Sequence, residues 1–356
     1  MIGSVVRRRS INFASDNTAG AAPEVIEALA EAAAISSMPY GDDDFTKQLQ
    51  VLASDIFERE VAIHPVATGT AANALSLSTV SPSYGVVFCH EGSHIEEDEC
   101  CAPEFFMGGG KLSLLSGEGA KIVAADLRAR LEIDSPAPPV HHAQAAAVSI
   151  TQATEVGAIY TIDETALISD VCREHGLAFH MDGARLANAI AALEVTPAAA
   201  TWKAGVDVLS LGATKNGALS AEAVVFFDLE KVKDFEFRRK RGGHLLSKMK
   251  FLSAQLIACL EKARWLELAA NSNARAADLA AGLRGINGVS LWFPVETNMI
   301  FLTMPETMAD MLAAADCLFY TWGRQGGAVS ARLVTSFDTT FEEVARFLDV
   351  ARDAAE

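Results

Sequence analysis

LAFHMDGAR (177–185), followed by DVLSLGATKNG (207–217), decides how this chain is built. Each is an apolar run of strand length that breaks abruptly into polar residues, Asp182 and Arg185 in the first and Lys215 in the second. Charges at such positions are expensive to bury without partners, so the run reads as a core strand with a working tip. The pattern extends outward in both directions. VAIHPV (61–66), VVFCHE (86–91), AAVSIT (146–151) and AEAVVFFD (221–228) are further strand-length runs, with helical stretches expected at 23–38, 46–60, 126–133 and 163–175. Strands alternating with helices of this length predict an α/β fold with a mainly parallel sheet. YGDDDF (40–45) is a polar turn, EGSHIEEDECCAPEFFMGGG (91–110) a charged, Gly-rich loop, and SPAPPV (135–140) a Pro-rich link. Past residue 250 the character changes: one long helix over 250–281, then VSLWF (289–293), NMIFLTM (298–304), CLFYTW (317–322) and AVSARLVTSFD (328–338), with helices near 305–315 and 340–354. That order predicts a smaller α+β domain. The expected division is 1–45 as an N-terminal segment, 46–250 as the large domain and 251–356 as linking helix and small domain.

Composition narrows the classes. The 356 residues are 50% hydrophobic, enough for a large core, and 46 acidic residues against 29 basic give a net charge of -17. So acidic a chain is a poor prior for nucleic acid or an anionic membrane surface. Cys89, Cys100, Cys101, Cys172, Cys259 and Cys317 form no CxxC pair, and adjacent Cys100–Cys101 suits tetrahedral zinc badly, so no metal centre is expected. The cysteines read as reduced thiols of a cytoplasmic protein. MIGSVVRRRSINF carries arginines without a following apolar stretch, so no signal peptide is read, and no apolar run is long enough to span a membrane.

Open α/β sheets bind ligands beyond the carboxyl ends of their strands. Three polar groups fall there. Thr68-Gly69-Thr70, with Asn73 beyond, stands where a strand runs into a helix, and the N–H groups of such a turn seat a phosphate; alone, it is also an ordinary strand-to-helix turn. Asp182 reads either as half of an internal ion pair with Arg185 or as the acid that keeps a ring nitrogen protonated. Lys215 is either a snorkelling surface lysine or an amine whose burial frees it to form an imine. Together, phosphate seat, ring-nitrogen acid and imine lysine are the parts a pyridoxal 5'-phosphate (PLP) site requires. His94, in the loop after 86–91, can stack on such a ring, or is a solvated loop histidine; most of the neighbouring Glu96, Glu97, Asp98 and Glu99 read as a solvated face. Arg332, inside a predicted strand, can clamp a carboxylate in bidentate fashion or sit in a core-edge ion pair.

With these residues in view, the chain resembles the low-specificity L-threonine aldolases, fold-type I PLP enzymes of the aspartate aminotransferase superfamily. The resemblance is carried by FASDNTAG (13–20), YGDD (40–43), TGTAAN (68–73), DECCAPEFF after His94, QATEVGAIY (152–160), HMDGARLANA (180–189), GATKNG (212–217) and ARLVTSFDT (331–339). HMDGAR followed by TKNG is the specific part; Thr214 stands where many members have serine. The resemblance implies retro-aldol cleavage of β-hydroxy-α-amino acids to glycine and an aldehyde, with a PLP aminotransferase or another β-eliminating lyase as the alternative. It implies Lys215 as the PLP-linked lysine and Asp182 as partner of the pyridine nitrogen. Arg185 would lie near the PLP hydroxyl and the substrate carboxylate, and His94 would stack and handle protons. Gly69 and Thr70, with Thr214, would line the cofactor, while Ser15 and Arg332 would hold the carboxylate. Tyr40 would act at a dimer interface, and Arg241 or Lys248 would reach a neighbouring subunit's phosphate. A homo-oligomer, a dimer of dimers, is implied as well, with 1–45 packing on the small domain and the partner subunit.

Overall fold

The computed structural model describes residues 10–133, 138–232 and 234–355. The arginines at 7–9 and residues 135–137 of the Pro-rich link lie outside them. The described residues up to Ala19 and from Asn271 onward form one compact unit, and Gly20–Ala270 forms the other. These bounds differ from breaks at 46 and 251. Helix Pro23–Ala34 lies against helix Lys250–Leu260, and that helix in turn packs on Asp44–Ile56, so all three count with the large unit.

The large unit is built on a seven-stranded sheet in the order Ala62–Val66, Glu222–Phe226, Val208–Gly212, Ala178–Gly183, Gln144–Thr151, Gly85–His90, Lys111–Leu115. All run parallel except Glu222–Phe226, which is antiparallel to both neighbours. The central strands are buried on both faces, which is why they read as unbroken apolar runs rather than alternating ones. Val66, Leu75, Val224, Phe226 and Phe235 pack together on one side, and a second cluster joins Leu77, Val87, Ile95 and Met107. Helix ends are set by side chains. Asp43, buried despite its charge, accepts the N–H of Thr46 at 2.9 Å, and Thr161 with Glu164 forms a capping box; each cap contributes about 1 kcal/mol.

Two expectations are corrected. The stretch 250–281 is two helices, Lys250–Leu260 and Arg264–Leu283, because Lys262 and Ala263 are left-handed (φ 55° and 57°). Arg264 stabilises the break by donating to the carbonyl of Ala258 and pairing with Glu24 at 3.2 Å. The loop at 91–110 holds two short helices, His94–Glu97 and Ala102–Met107.

The smaller unit has a four-stranded antiparallel sheet, in the order Tyr320–Gln325, Ala328–Val334, Met299–Pro305, Ser290–Leu291. One face, with Ile300, Leu302, Val329, Ala331 and Leu333, packs on apolar residues of the helices, including Leu279, Met308 and Phe347. Phe301 and Arg332, paired across adjacent strands, stand on the other face.

Candidate active site

Asp182 lies near the end of the strand Ala178–Gly183, in the middle of the sheet, and is 4% exposed. Its Oδ1 accepts the N–H of Ala184 at 2.9 Å and its Oδ2 accepts Asn73 Nδ2 at 2.7 Å. Two residues back on the same face, His180 is fully buried between Ser149 Oγ (2.8 Å) and Ser210 Oγ (2.9 Å). Burial pushes its imidazole down to about 4, so it stays neutral and serves the packing beneath Asp182. Backbones crowd here: a Cβ on Gly183 would meet the Ser210 carbonyl at 2.9 Å, and one on Gly212 would meet that of Ala184 at 2.6 Å. The glycines of DGAR and GATK thus exist for close approach of two strand ends.

His94 opens a single helical turn just past the strand Gly85–His90. Its backbone N–H donates to Glu155 Oε1 at 2.8 Å, an oxygen that also accepts the Thr151 hydroxyl at 2.7 Å. Its Nδ1 lies 2.8 Å from Glu99 Oε1, and the same oxygen accepts Asn73 Nδ2 at 2.8 Å. The Asn73 amide therefore donates to both Glu99 and Asp182. The hydrogen bond to Glu99 raises the His94 pKa against the opposing effect of burial, while burial raises those of Glu99 and Glu155. Glu99 is not part of the solvated face: it is 4% exposed and holds the histidine. Asn73, Glu99 and Glu155 were the site residues least visible in the sequence. The ligand atoms of His94, Glu99 and Asp182 lie within 4.8 Å of one another, but the NH2 group of Asn73 between the carboxylates has the wrong polarity to share a site with a cation.

Lys215 sits half-buried in the one-turn helix Thr214–Asn216, on the connection from Val208–Gly212 to the reversed strand Glu222–Phe226. Both ends of that connection are tied. Glu222, buried, accepts the N–H of Ala213 at 2.7 Å, and the Thr214 hydroxyl oxygen accepts the N–H of Ala221 at 3.2 Å. Gly217, at φ +103°, turns the chain so that its carbonyl accepts the Ala22 N–H at 2.8 Å. Burial raises the Glu222 pKa, opposed by hydrogen bonds from Thr214 and Ala213 and by the charge of Lys215. The same lysine charge acts on His94, so Lys215, His94 and Asp182 belong to one electrostatic cluster. Arg185 follows within the same turn and is half-buried.

Thr68 caps the helix Gly69–Val80, its hydroxyl accepting the Ala71 N–H at 3.2 Å. The N–H groups of Gly69 and Thr70 lie in the first turn, where no intrahelical acceptor exists, and a Cβ on Gly69 would meet nothing within 4 Å. An anion can approach this twelve-residue helix end closely. PLP fits this donor set: a helix N-terminus for its phosphate, a buried carboxylate anchored at both oxygens for its pyridine nitrogen, and a lysine on a tied loop.

In the smaller unit Arg332 Nη2 donates to the Ala14 carbonyl at 3.2 Å and its guanidinium lies 5.2 Å from the Tyr320 ring. Ser15, next along, caps a short 3-10 turn. Tyr40 is exposed, its ring 4.5 Å from Lys240 Nζ and its N–H donating to the Ser247 carbonyl at 3.1 Å. The structure thus brings Tyr40 beside the 237–250 segment, where Arg241 and Lys248 are both exposed.

The model for the beta-eliminating lyase family matches residues 12–307. The chain is 44% identical to the low specificity L-threonine aldolase of a Pseudomonas species over 345 residues, covering 97% of each protein. It is 25% identical to that of Saccharomyces cerevisiae, covering 96% of this chain and 86% of the yeast protein. The solved structure of Leishmania major threonine aldolase superposes with a TM-score of 0.90 at 29% identity, covering 97% of this chain and 99% of that one. By the extent of these matches and the ordering of its strand-end residues, the chain belongs to the beta-eliminating lyase family of fold-type I PLP enzymes.

Proposed function

We propose that the protein is a PLP-dependent carbon–carbon lyase that cleaves L-threonine, L-allo-threonine and related β-hydroxy-α-amino acids to glycine and an aldehyde. The observation that carries this is the arrangement of Asp182, Lys215 and the Gly69–Thr70 turn at the carboxyl ends of the sheet strands, with His94 hydrogen-bonded to Glu99 nearby, in a chain 44% identical to an L-threonine aldolase throughout its length.

Bound there, PLP supplies a protonated pyridine ring into which the electron pair of the broken Cα–Cβ bond spreads. The protein's residues divide the remaining work. Lys215 would provide the amine that holds the cofactor covalently. Asp182, anchored at both oxygens by hydrogen bonds from Asn73 and Ala184, would hold the proton on the ring nitrogen. Gly69 and Thr70 take the phosphate, with Thr214 beside the lysine. Arg332, Ser15 and Arg185 are the residues that would hold the α-carboxylate of the substrate. His94 removes the β-hydroxyl proton, directly or through one water; with Nδ1 committed to Glu99, its Nε2 is the nitrogen left for this. Tyr40 and a basic residue of 237–250, Arg241 or Lys248, serve the site of a neighbouring subunit in a dimer of dimers. No helix among the described residues is long and apolar enough to cross a membrane. The acidic surface and six free thiols fit a cytoplasmic enzyme without a nucleic-acid partner.

The test is aldehyde release from each of the four threonine stereoisomers by PLP-loaded protein. Release from the L-isomers with stoichiometric glycine is expected; consumption of amino acid with accumulation of the amine form of the cofactor and no aldehyde would make it an aminotransferase.

A further inference from the structure

Two buried carboxylates and an imidazole are knit together by one amide at the carboxyl ends of the sheet strands. Asn73 Nδ2 has two hydrogens, and they go to Asp182 Oδ2 (2.7 Å) and Glu99 Oε1 (2.8 Å). The latter oxygen also lies 2.8 Å from His94 Nδ1. An ionised carboxylate only accepts, so the proton of a neutral His94 must sit on Nδ1, and Nε2 is left with the lone pair. We propose that Glu99 and Asn73 are positioning residues of the reaction: Glu99 sets the tautomer and basicity of His94, and Asn73 couples that pair to Asp182, the partner of the ring nitrogen. The base that takes the hydroxyl proton and the acid that holds the ring proton are then two ends of one hydrogen-bonded chain.

The charges around His94 favour this assignment. Glu99 faces its Nδ1, Glu155 accepts its backbone N–H, and Asp182 and Lys215 act on it from neighbouring strand ends with opposite signs. Glu99 makes the largest contribution, and it raises the pKa. Two carboxylates this close repel unless a donor separates them, and the Asn73 amide is that donor. Its loss would favour protonation of Glu99, which would then release its hold on His94. Asn73, Glu99 and Asp182 are buried, so solvent does not substitute for the hydrogen bonds among them.

The inference rests on the proposed role of His94, and its test is read without turnover. Imidazole 15N shifts of His94 are followed against pH in apoprotein and in PLP-loaded protein, for wild type, Glu99→Gln and Asn73→Leu. Wild type is expected to carry the neutral-state proton on Nδ1. Glu99→Gln, nearly isosteric, should lower the His94 pKa by about one unit and move the acid limb of the kcat profile to lower pH by the same amount. Asn73→Leu should lower the His94 pKa and also weaken PLP binding roughly tenfold, because it touches Asp182 as well. A His94 that titrates at its wild-type pH in Glu99→Gln, or that carries its proton on Nε2 in wild type, overturns the proposal. Glu99→Gln keeps the test decisive if Asn73→Leu does not fold. An unchanged kcat in His94→Ala would instead remove His94 as the base, a failure distinguishable from that of the bridge.

Discussion

Gly212 ends the strand that leads to Lys215, and its φ is not in the left-handed region, so its need for glycine is one of space alone. A methyl group there would sit 2.6 Å from the Ala184 carbonyl oxygen and 2.7 Å from its Cα. These are backbone atoms and cannot rotate away. Reaching the 3.4 Å of ordinary contact requires the two strand ends to part by about 0.8 Å. Ala184 donates its N–H to Asp182 and is followed by Arg185, so the displacement acts directly on the ring-nitrogen acid relative to the lysine. A misplacement approaching 1 Å costs up to roughly 100-fold in rate, and overpacking of this kind costs about 1–3 kcal/mol in stability. Gly212→Ala should therefore lose kcat by ten- to a hundredfold (an order-of-magnitude figure), with weaker PLP binding and a lower Tm. Gly285→Ala, whose Cβ meets nothing within 4 Å, is the control and should be close to wild type. Aldehyde release in a coupled dehydrogenase assay, a PLP titration and a thermal melt read the three effects. Wild-type kcat and PLP affinity in Gly212→Ala would refute the claim that this close approach sets the site.

Lys215→Ala should abolish turnover and leave no cofactor fixed by borohydride on the peptide containing residue 215, as peptide mapping would show. Asp182→Asn should reduce kcat by on the order of 100-fold and weaken PLP binding, measured by stopped assay and titration. Arg332→Ala removes charge-assisted hydrogen bonds worth about 1.5–3 kcal/mol and should raise KM for threonine by roughly ten- to a hundredfold with a smaller change in kcat; an unchanged KM would take Arg332 out of the carboxylate clamp. His180 is neutral in the folded state down to about 4, whereas an unfolded histidine takes up its proton near 6.5. The unfolded state binds the extra proton between these values, so stability is complete above the upper one and falls as the pH drops toward the lower, by on the order of 3 kcal/mol. Urea unfolding of wild type and His180→Gln across this range should show a shallower pH dependence in the variant.

The strand tips carried the most legible information. Asp182, Lys215 and Thr68–Thr70 each follow an apolar run, and the abrupt change from buried to charged is itself the signal. The reversed direction of Glu222–Phe226 was not legible, because a strand buried on both faces has the same composition whichever way it runs. Glu99 was hidden by its company: among four consecutive acids, nothing local distinguishes the one that turns inward. Glu155 and Glu222 are single acids whose partners, His94 and Ala213, become apparent only when distant segments meet. The break at 261–263 was missed because it uses neither Gly nor Pro; left-handed Lys262 and Ala263 end the helix, and Arg264 takes up a carbonyl it leaves behind.

The reversed strand also bears on how the protein is made. Its hairpin with Val208–Gly212 is a local pairing and can form early, fixing Lys215 at the carboxyl end of that strand with little loss of chain entropy. Its other neighbour, Ala62–Val66, comes from far back in the chain, and that strand carries the Thr68–Thr70 turn. On the ribosome, the phosphate seat must wait, already synthesised, until residues 222–226 emerge to give its strand an edge to join. Acquisition of PLP therefore reports completion of the most sequence-distant pairing in the sheet, and a nascent chain halted before that point should hold the cofactor poorly even though Asp182 and Lys215 are both present.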